Sequence, residues 1–172
     1  KIFFEQLKLK PSSRIPGSKL TLGAELLKVH VSYGPLVQAL LKKFNRGGVA
    51  ASRQGAAVSK KSLRRSADAP LRAFAHITGG GFVDNIPRVL PKSLDVVIKK
   101  GSWEMLPVFK IIAEQSGVPD DELYQVFNMG IGMVSIVSAD KADAVLKFIK
   151  AQKHKAWIIG QVVQGKGEAR VE

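Results

Sequence analysis

Ala75-His76-Ile77-Thr78-Gly79-Gly80-Gly81-Phe82-Val83-Asp84-Asn85-Ile86-Pro87-Arg88-Val89-Leu90-Pro91 is the stretch whose reading decides the fold. Immediately before it, Leu71-Arg72-Ala73-Phe74-Ala75-His76-Ile77 alternates apolar residues with others, as a strand does. Immediately after the glycines, Phe82, Ile86, Val89 and Leu90 recur at helical spacing. A strand that breaks into glycines and restarts as a helix presents bare backbone N–H groups. Such a place favours an anion, because both the unpaired donors and the helix dipole attract negative charge. Glycines also let the main chain approach a phosphate with no Cβ in the way. Thr78, Gly79, Gly80 and Gly81 are therefore the candidate phosphate cradle, with the Thr78 hydroxyl as a further donor. A glycine triplet can equally be a tight turn with no ligand.

Working outward, Leu94 to Ile98 is a β-rich run that ends at Lys99-Lys100-Gly101. Trp103 to Ser116 is amphipathic, with Gly117 placed to cap it. Val118 to Phe127 follows as a helix whose Pro119 and acidic first turn suit the positive end of the dipole. Gly132 to Val137 reads as a strand, Ala139 to Lys153 as a helix capped by Ser138, and Ala156 to Val163 as a strand. Glu168 to Glu172 could add an edge strand. On the other side, Thr21 can cap a short helix, and Pro35 suits the start of one with Leu36, Val37, Leu40, Leu41 and Phe44 on its apolar face. Strands at 71, 94, 132 and 156 alternating with helices predict an α/β layered domain. The glycines lack GxGxxG spacing, so a Rossmann sheet is not demanded. Residues 1–20, broken by Pro11, Pro16 and Gly17, are expected to form an arm or linker remnant, and 21–172 the domain. Residues 45–70 read as a basic insertion without aromatics, expected to be disordered because its composition offers little apolar surface to bury.

Composition narrows the function classes. The chain has 172 residues, 45% hydrophobic and 24% charged, enough for one sizeable core. There is no cysteine, which excludes thiolate chemistry and a disulfide framework. No apolar run approaches membrane-spanning length, so no membrane role is expected. The net charge of +13 favours phosphorylated or polyanionic partners. Nearly half of that excess belongs to residues 46–72, where seven basic side chains face Asp68 alone. Binding of nucleic acid by 45–70 is thus the weaker reading, carried only by a like-charge run. His30, His76 and His154 lack ligand spacing, so no metal site is expected in this chain. No Walker loop and no nucleophile elbow occur.

Three separate stretches carry a family resemblance. They are His76-Ile77-Thr78-Gly79-Gly80-Gly81-Phe82 with Asn85-Ile86-Pro87-Arg88-Val89-Leu90-Pro91; Gly101-Ser102-Trp103 with Pro107; and Phe127-Asn128-Met129-Gly130-Ile131-Gly132-Met133. In that order and spacing they closely resemble the C-terminal half of the aminoimidazole ribonucleotide synthetases, the purine-pathway cyclo-ligases. The likeness runs from about Leu22 to Val163 and is interrupted by the insertion. In the family a tyrosine follows the first short helix, and His30-Val31-Ser32-Tyr33 occupies that place here.

The resemblance implies a mixed sheet with flanking helices. It also implies a cytoplasmic enzyme that closes the ring of formylglycinamidine ribonucleotide by phosphoryl activation of its formyl oxygen and attack of an amidine nitrogen. ATP and Mg²⁺ would be held mainly by an N-terminal domain lying outside this chain. The full-length protein would be a homodimer, and this part alone would be inactive. His76 would contact substrate or assist proton transfer; on the residues alone, it is as well read as a strand-end histidine held by a hydrogen bond. Asn85 could bind a ligand or fasten the loop, and Asn128 would take a polar role at the cleft. Trp103 reads as core, and Arg88 as solvated or ion-paired. Two other classes compete with this reading: a stand-alone phosphate- or nucleotide-binding module, and a nucleic-acid-binding protein.

Overall fold

A computed structural model describes residues 1–45 and 69–172. Strand β1 (Leu71–His76) pairs antiparallel with β3 (Met133–Val137). Strand β2 (Leu94–Ile98) lies between β4 (Gly160–Gln164), antiparallel to it, and β5 (Ala169–Val171), parallel to it. The α/β class is as expected, and the mixed sheet is the three-stranded one. The strands divide into two sheets, however, rather than forming one. The strand expected from Ala156 begins at Gly160, where the main chain meets β2: a Cβ on Gly160 would overlap the Val97 carbonyl.

Helices are α1 (Leu22–Leu26), α2 (Gly34–Phe44), α3 (Gly81–Asn85), α4 (Pro107–Gln115), α5 (Asp120–Val126) and α6 (Ala142–Ala151). The Thr21 side chain accepts from Ala24 N and caps α1, while Pro35 and Pro107 sit in the first turns of α2 and α4. Asp120, Asp121 and Glu122 fill the first turn of α5, as its sequence anticipates. The helix expected from Trp103 starts later, because Trp103 is turned into the core. Ser138 makes no side-chain cap to the 3-10 turn Ala139–Lys141 that leads into α6. The helix after the glycines is shorter than its spacing predicts. Pro87 has no N–H to give to Val83, and the chain tightens into a 3-10 turn over Pro87–Val89.

Phe82 and Ile86 are fully buried at the centre of the main core, with Ile98, Leu123 and Met129. The Phe82 ring packs 5.5 Å from Trp103 and 6.3 Å from Tyr124, and Trp103 meets Tyr124 edge-on at 6.2 Å. Burying a ring of this size contributes roughly 1.5–3 kcal/mol. A second cluster joins Leu40 of α2, Leu71 of β1 and Val145 of α6.

Residues 1–20 depart from the expectation of an arm. Phe3 and Ile15 are buried with Leu22 and pack on Val108, Ile111 and Ile112 of α4. Their apolar side chains recur too irregularly for a periodicity to reveal them, and no packing boundary falls at residue 20. The insertion's edges also shift. Asn45 is buried, its amide donating to the Leu71 carbonyl at 3.0 Å and its oxygen accepting from Leu71 N at 3.1 Å. Ser138 N donates to the Pro70 carbonyl at 2.8 Å. Asn45, Ala69 and Pro70 thus belong to the fold; the rest of the expected disordered segment lies outside the described residues.

Candidate functional site

The glycine turn is built from four residues with different jobs. Gly81 N donates to the Thr78 carbonyl at 3.1 Å, closing a turn whose third residue, Gly80, has φ +94° and ψ −1°. That is the position where a type II turn requires glycine. Gly81 is also left-handed, at φ +52°, and its α-carbon is pressed on α5: a Cβ there would overlap the Tyr124 carbonyl oxygen and lie 2.9 Å from the Phe127 oxygen. Gly79 has neither constraint. It is exposed, and a Cβ on it would meet nothing within 4 Å. Folding alone explains two of the three glycines.

Among the described residues, the N–H groups of Gly79 and Gly80 have no protein acceptor. These are the donors the turn can offer an anion. The helix behind them is a single turn, so its dipole adds less than the sequence reading assumed. Asp84 flanks the other side; a Cβ on Gly80 would lie 2.8 Å from its Cβ and Oδ2. That carboxylate repels a second negative charge, leaving the Thr78–Gly79 side as the place an anion can approach.

Asn85 is buried, and its amide donates to the carbonyls of Gly81 at 2.8 Å, Gly79 at 3.2 Å and Thr78 at 3.4 Å. The Thr78 hydroxyl donates to the Asn85 oxygen at 3.4 Å. Of the two roles left open for Asn85, this geometry is that of the loop fastener.

His76 ends β1, exposed and opposite Met133, its side chain making no hydrogen bond among the described residues. The third motif stretch, Phe127 to Met133, meets the first along two seams. Ile77 N donates to the Gly132 carbonyl at 2.9 Å, and the Phe127 oxygen backs Gly81. Asn128 accepts from Gly130 N at 3.0 Å through its side chain, shaping its own loop; no hydrogen bond ties it to the glycine turn. Met129 adopts φ +48°, and its carbonyl accepts the Trp103 indole N–H at 3.0 Å. Trp103 therefore both fills the core and holds this loop.

Tyr33 was not among the sequence candidates. Its ring stands edge-on to His76, centroids 6.3 Å apart, and its hydroxyl sits over Gly132. Burial pushes the phenol pKa up. A tyrosine before a proline-started helix was visible in the sequence, but its meeting with His76 depends on tertiary packing. Away from these groups, at the start of β1, Arg72 and Ala73 help line a cavity of about 370 Å³ between the two sheets. No side chain expected to bind substrate faces it.

Among the described residues, no three carboxylate, imidazole or thiol groups gather where they could hold a metal ion. None of their helices is long and apolar enough to cross a membrane.

A family model described as "AIR synthase related protein, C-terminal domain" matches residues 56–172. The chain is 36% identical over 167 residues to the phosphoribosylformylglycinamidine cyclo-ligase of Geobacillus thermodenitrificans, covering 97% of this chain and 41% of the relative. It is 39% identical over 151 residues to that of Bacillus cytotoxicus, covering 88% and 36%. With that of Syntrophus aciditrophicus it shares 36% over 168 residues, covering 98% and 41%. The chain thus spans about two fifths of the length of these curated relatives.

Proposed function

The chain belongs to the AIR synthase related family, as its C-terminal domain, and on that premise we propose that it is the substrate-binding part of a purine-biosynthesis cyclo-ligase. The reaction would convert formylglycinamidine ribonucleotide and ATP to aminoimidazole ribonucleotide, ADP and phosphate. The observation that carries this reading is the likeness to named cyclo-ligases along nearly the whole chain. The contiguity of the two glycine-bearing stretches supports it.

In this reading the ribonucleotide phosphate lies against Thr78 and Gly79, bound by the N–H groups of Gly79 and Gly80. Asn85 fixes the three carbonyls beneath it, so the donors are aimed before the ligand arrives. Catalysis then draws on orientation rather than on reorganisation. His76, exposed at the strand end beside this turn, contacts substrate or moves a proton at its imidazole. Gly81 supports the turn through packing, and Asn128 shapes the adjoining loop through its side-chain oxygen. The described donor set does not fit Mg²⁺, so the metal and ATP are assigned to the further length that the relatives possess. Dimerisation of the whole protein is assigned there too. Residues 1–20 count with the domain, and 46–68 as an insertion into it.

The test is a reconstitution. The purified chain alone should form no aminoimidazole ribonucleotide from formylglycinamidine ribonucleotide and ATP. Joined to the N-terminal part of the Geobacillus thermodenitrificans relative, it should form the product with one ADP per turnover. Product from the chain alone would contradict the division of labour. A well-folded chimera that binds neither substrate nor product would contradict the substrate-binding role.

A further inference from the structure

We infer that the segment carrying Leu27, Val29 and Val31 is a docking strand, covered in the whole protein by the further length that the cyclo-ligase relatives possess. This rests on the reading of the chain as the C-terminal part of such an enzyme, and it assigns the surface where the two parts meet. The first observation is an excess of exposed apolar side chain. Among the described residues ten large apolar side chains are exposed, and five of them, Leu20, Leu26, Leu27, Val29 and Val31, fall within residues 20–31. Leu27 is 82% exposed, Val29 93% and Val31 53%. Apolar residues scattered singly over a surface are ordinary, whereas a contiguous run of them marks an interaction site.

The second observation is the main chain of the same segment. Residues 28–33 belong to no helix, strand or turn. From Val29 to Ser32 no N–H or C=O pairs with another main-chain group of the described residues. Leu27, Val29 and Val31 alternate with Lys28, His30 and Ser32, the period of a strand with one apolar face. Free main-chain groups and a one-sided apolar row are together what a segment offers when it adds to the edge of another sheet.

The third observation is that the segment is held at both ends and is not a loose tail. Before it, Leu22 of α1 is fully buried, and Glu25 accepts from the Ser18 hydroxyl. Glu25 also lies 2.5 Å from Lys28 Nζ, which neutralises the basic charge that interrupts the apolar row. After it, Leu40 of α2 is buried against β1 and α6. The row is therefore presented to solvent by structure on either side.

The occupant follows from length, charge and position. Most of the length of the relatives lies outside this chain and has to be seated against it. A second copy of the chain is the poorer fit, because a net charge of +13 makes two copies repel. The segment leads directly to Tyr33, whose ring centroid is 6.3 Å from that of His76. A part docked here would lie beside the exposed imidazole, where the further length must reach to bring ATP and Mg²⁺ to the substrate.

The experiment is amide hydrogen exchange, read by mass spectrometry, on the 172-residue chain alone and joined to the N-terminal part of the Geobacillus thermodenitrificans relative. Each is repeated with Leu27→Lys and Val29→Lys together. In the chain alone, the amides of Val29 to Ser32 should exchange as in an unstructured peptide at every protein concentration. In the joined protein they should slow by about a hundredfold. The paired substitutions should leave the urea midpoint of the chain alone unmoved, since both side chains already stand in solvent, and should return the segment of the joined protein to fast exchange. Slow exchange of these amides in the monomeric chain alone would overturn the inference, because the surface would already be covered. So would slowing that grows with concentration, which would assign the surface to a second copy. A joined protein that forms aminoimidazole ribonucleotide while this segment exchanges freely would overturn the inference and leave the proposed function standing. Slow exchange in a joined protein without turnover would support the docking surface and count against the proposed function.

Discussion

Alanine placed at Gly79 and at Gly81 separates what the turn needs for folding from what it needs for binding. At Gly81 the new Cβ would overlap the Tyr124 carbonyl oxygen and stand 2.7 Å from its carbonyl carbon and 2.9 Å from the Phe127 oxygen. All three are backbone atoms of α5 and its exit, so no rotamer change relieves them. Overpacking of this kind costs about 1–3 kcal/mol. The left-handed φ of +52° adds about 1–2 kcal/mol for a residue with a Cβ. The sum is about 2–5 kcal/mol, and the melting temperature should fall by on the order of 10 °C for a chain of this size. Gly79→Ala meets open space, and its φ is outside the left-handed region. It should be neutral, or stabilise by about 0.4–1 kcal/mol through the unfolded chain. Urea unfolding of both variants gives the free energies. Phosphate titration of Gly79→Ala, which remains folded, then reads binding without a stability loss. The same logic sets aside Gly80→Val as a probe, because φ +94° would damage the turn itself. An unfolding free energy for Gly81→Ala within about 0.5 kcal/mol of the parent would refute this reasoning. So would equal destabilisation by Gly79→Ala.

Trp103→Phe should cost about 1–3 kcal/mol by leaving the Met129 carbonyl without its donor, and should speed amide exchange at Gly130 and Ile131. Unfolding and exchange measured on one sample check both halves. Asn45→Ala should destabilise by about 2–3 kcal/mol, because both backbone groups of Leu71 lose their partner; replacing 46–68 by a short flexible linker with Asn45 kept should cost much less, as unfolding curves would record. The Asp95 carboxyl is held below the usual range by the N–H groups of Glu168, Lys166 and Gly167 and by Arg170. A lowered folded pKa stabilises above the unfolded value of about 3.9 and loses that contribution as pH falls through the folded pKa. Stability measured from pH 6 downward should therefore fall less steeply below about pH 4 in Asp95→Asn than in the parent.

What could be read from the chain was whatever announces itself locally. Phe82 and Ile86 declared a buried helical face, Pro35 and Pro107 declared helix starts, and the acidic run at Asp120 declared the N-terminus of α5. The strands were legible by alternation, but their partners were not, so one sheet was expected where two occur. The docking of Phe3 and Ile15 was hidden because no period links them. For the candidate site, the turn was found, yet its three glycines looked alike in sequence. Only the positions of Asp84, Tyr124 and Phe127 separate a turn-former and a packing glycine from the open Gly79. Asn85 showed its place one helical turn along, but not the three carbonyls it ties together. Tyr33 is far from His76 in sequence, and nothing short of the fold joins them.

Among the described residues, no strand hydrogen-bonds to its neighbour in sequence. β1 waits for β3, and β2 waits for β4 and β5, so among the described strands there is no β-hairpin from which a sheet could nucleate locally. During synthesis from the N-terminus, β2 emerges long before either of its partners, and its edges stay unsatisfied until Gly160 and beyond have been made. The chain's vulnerability to self-association is thus concentrated in that interval rather than in the finished protein. The same wiring gives residues 169–171 a structural role. Ala169 to Val171 form a whole edge of the second sheet, so loss of these residues removes structure packed on the main core.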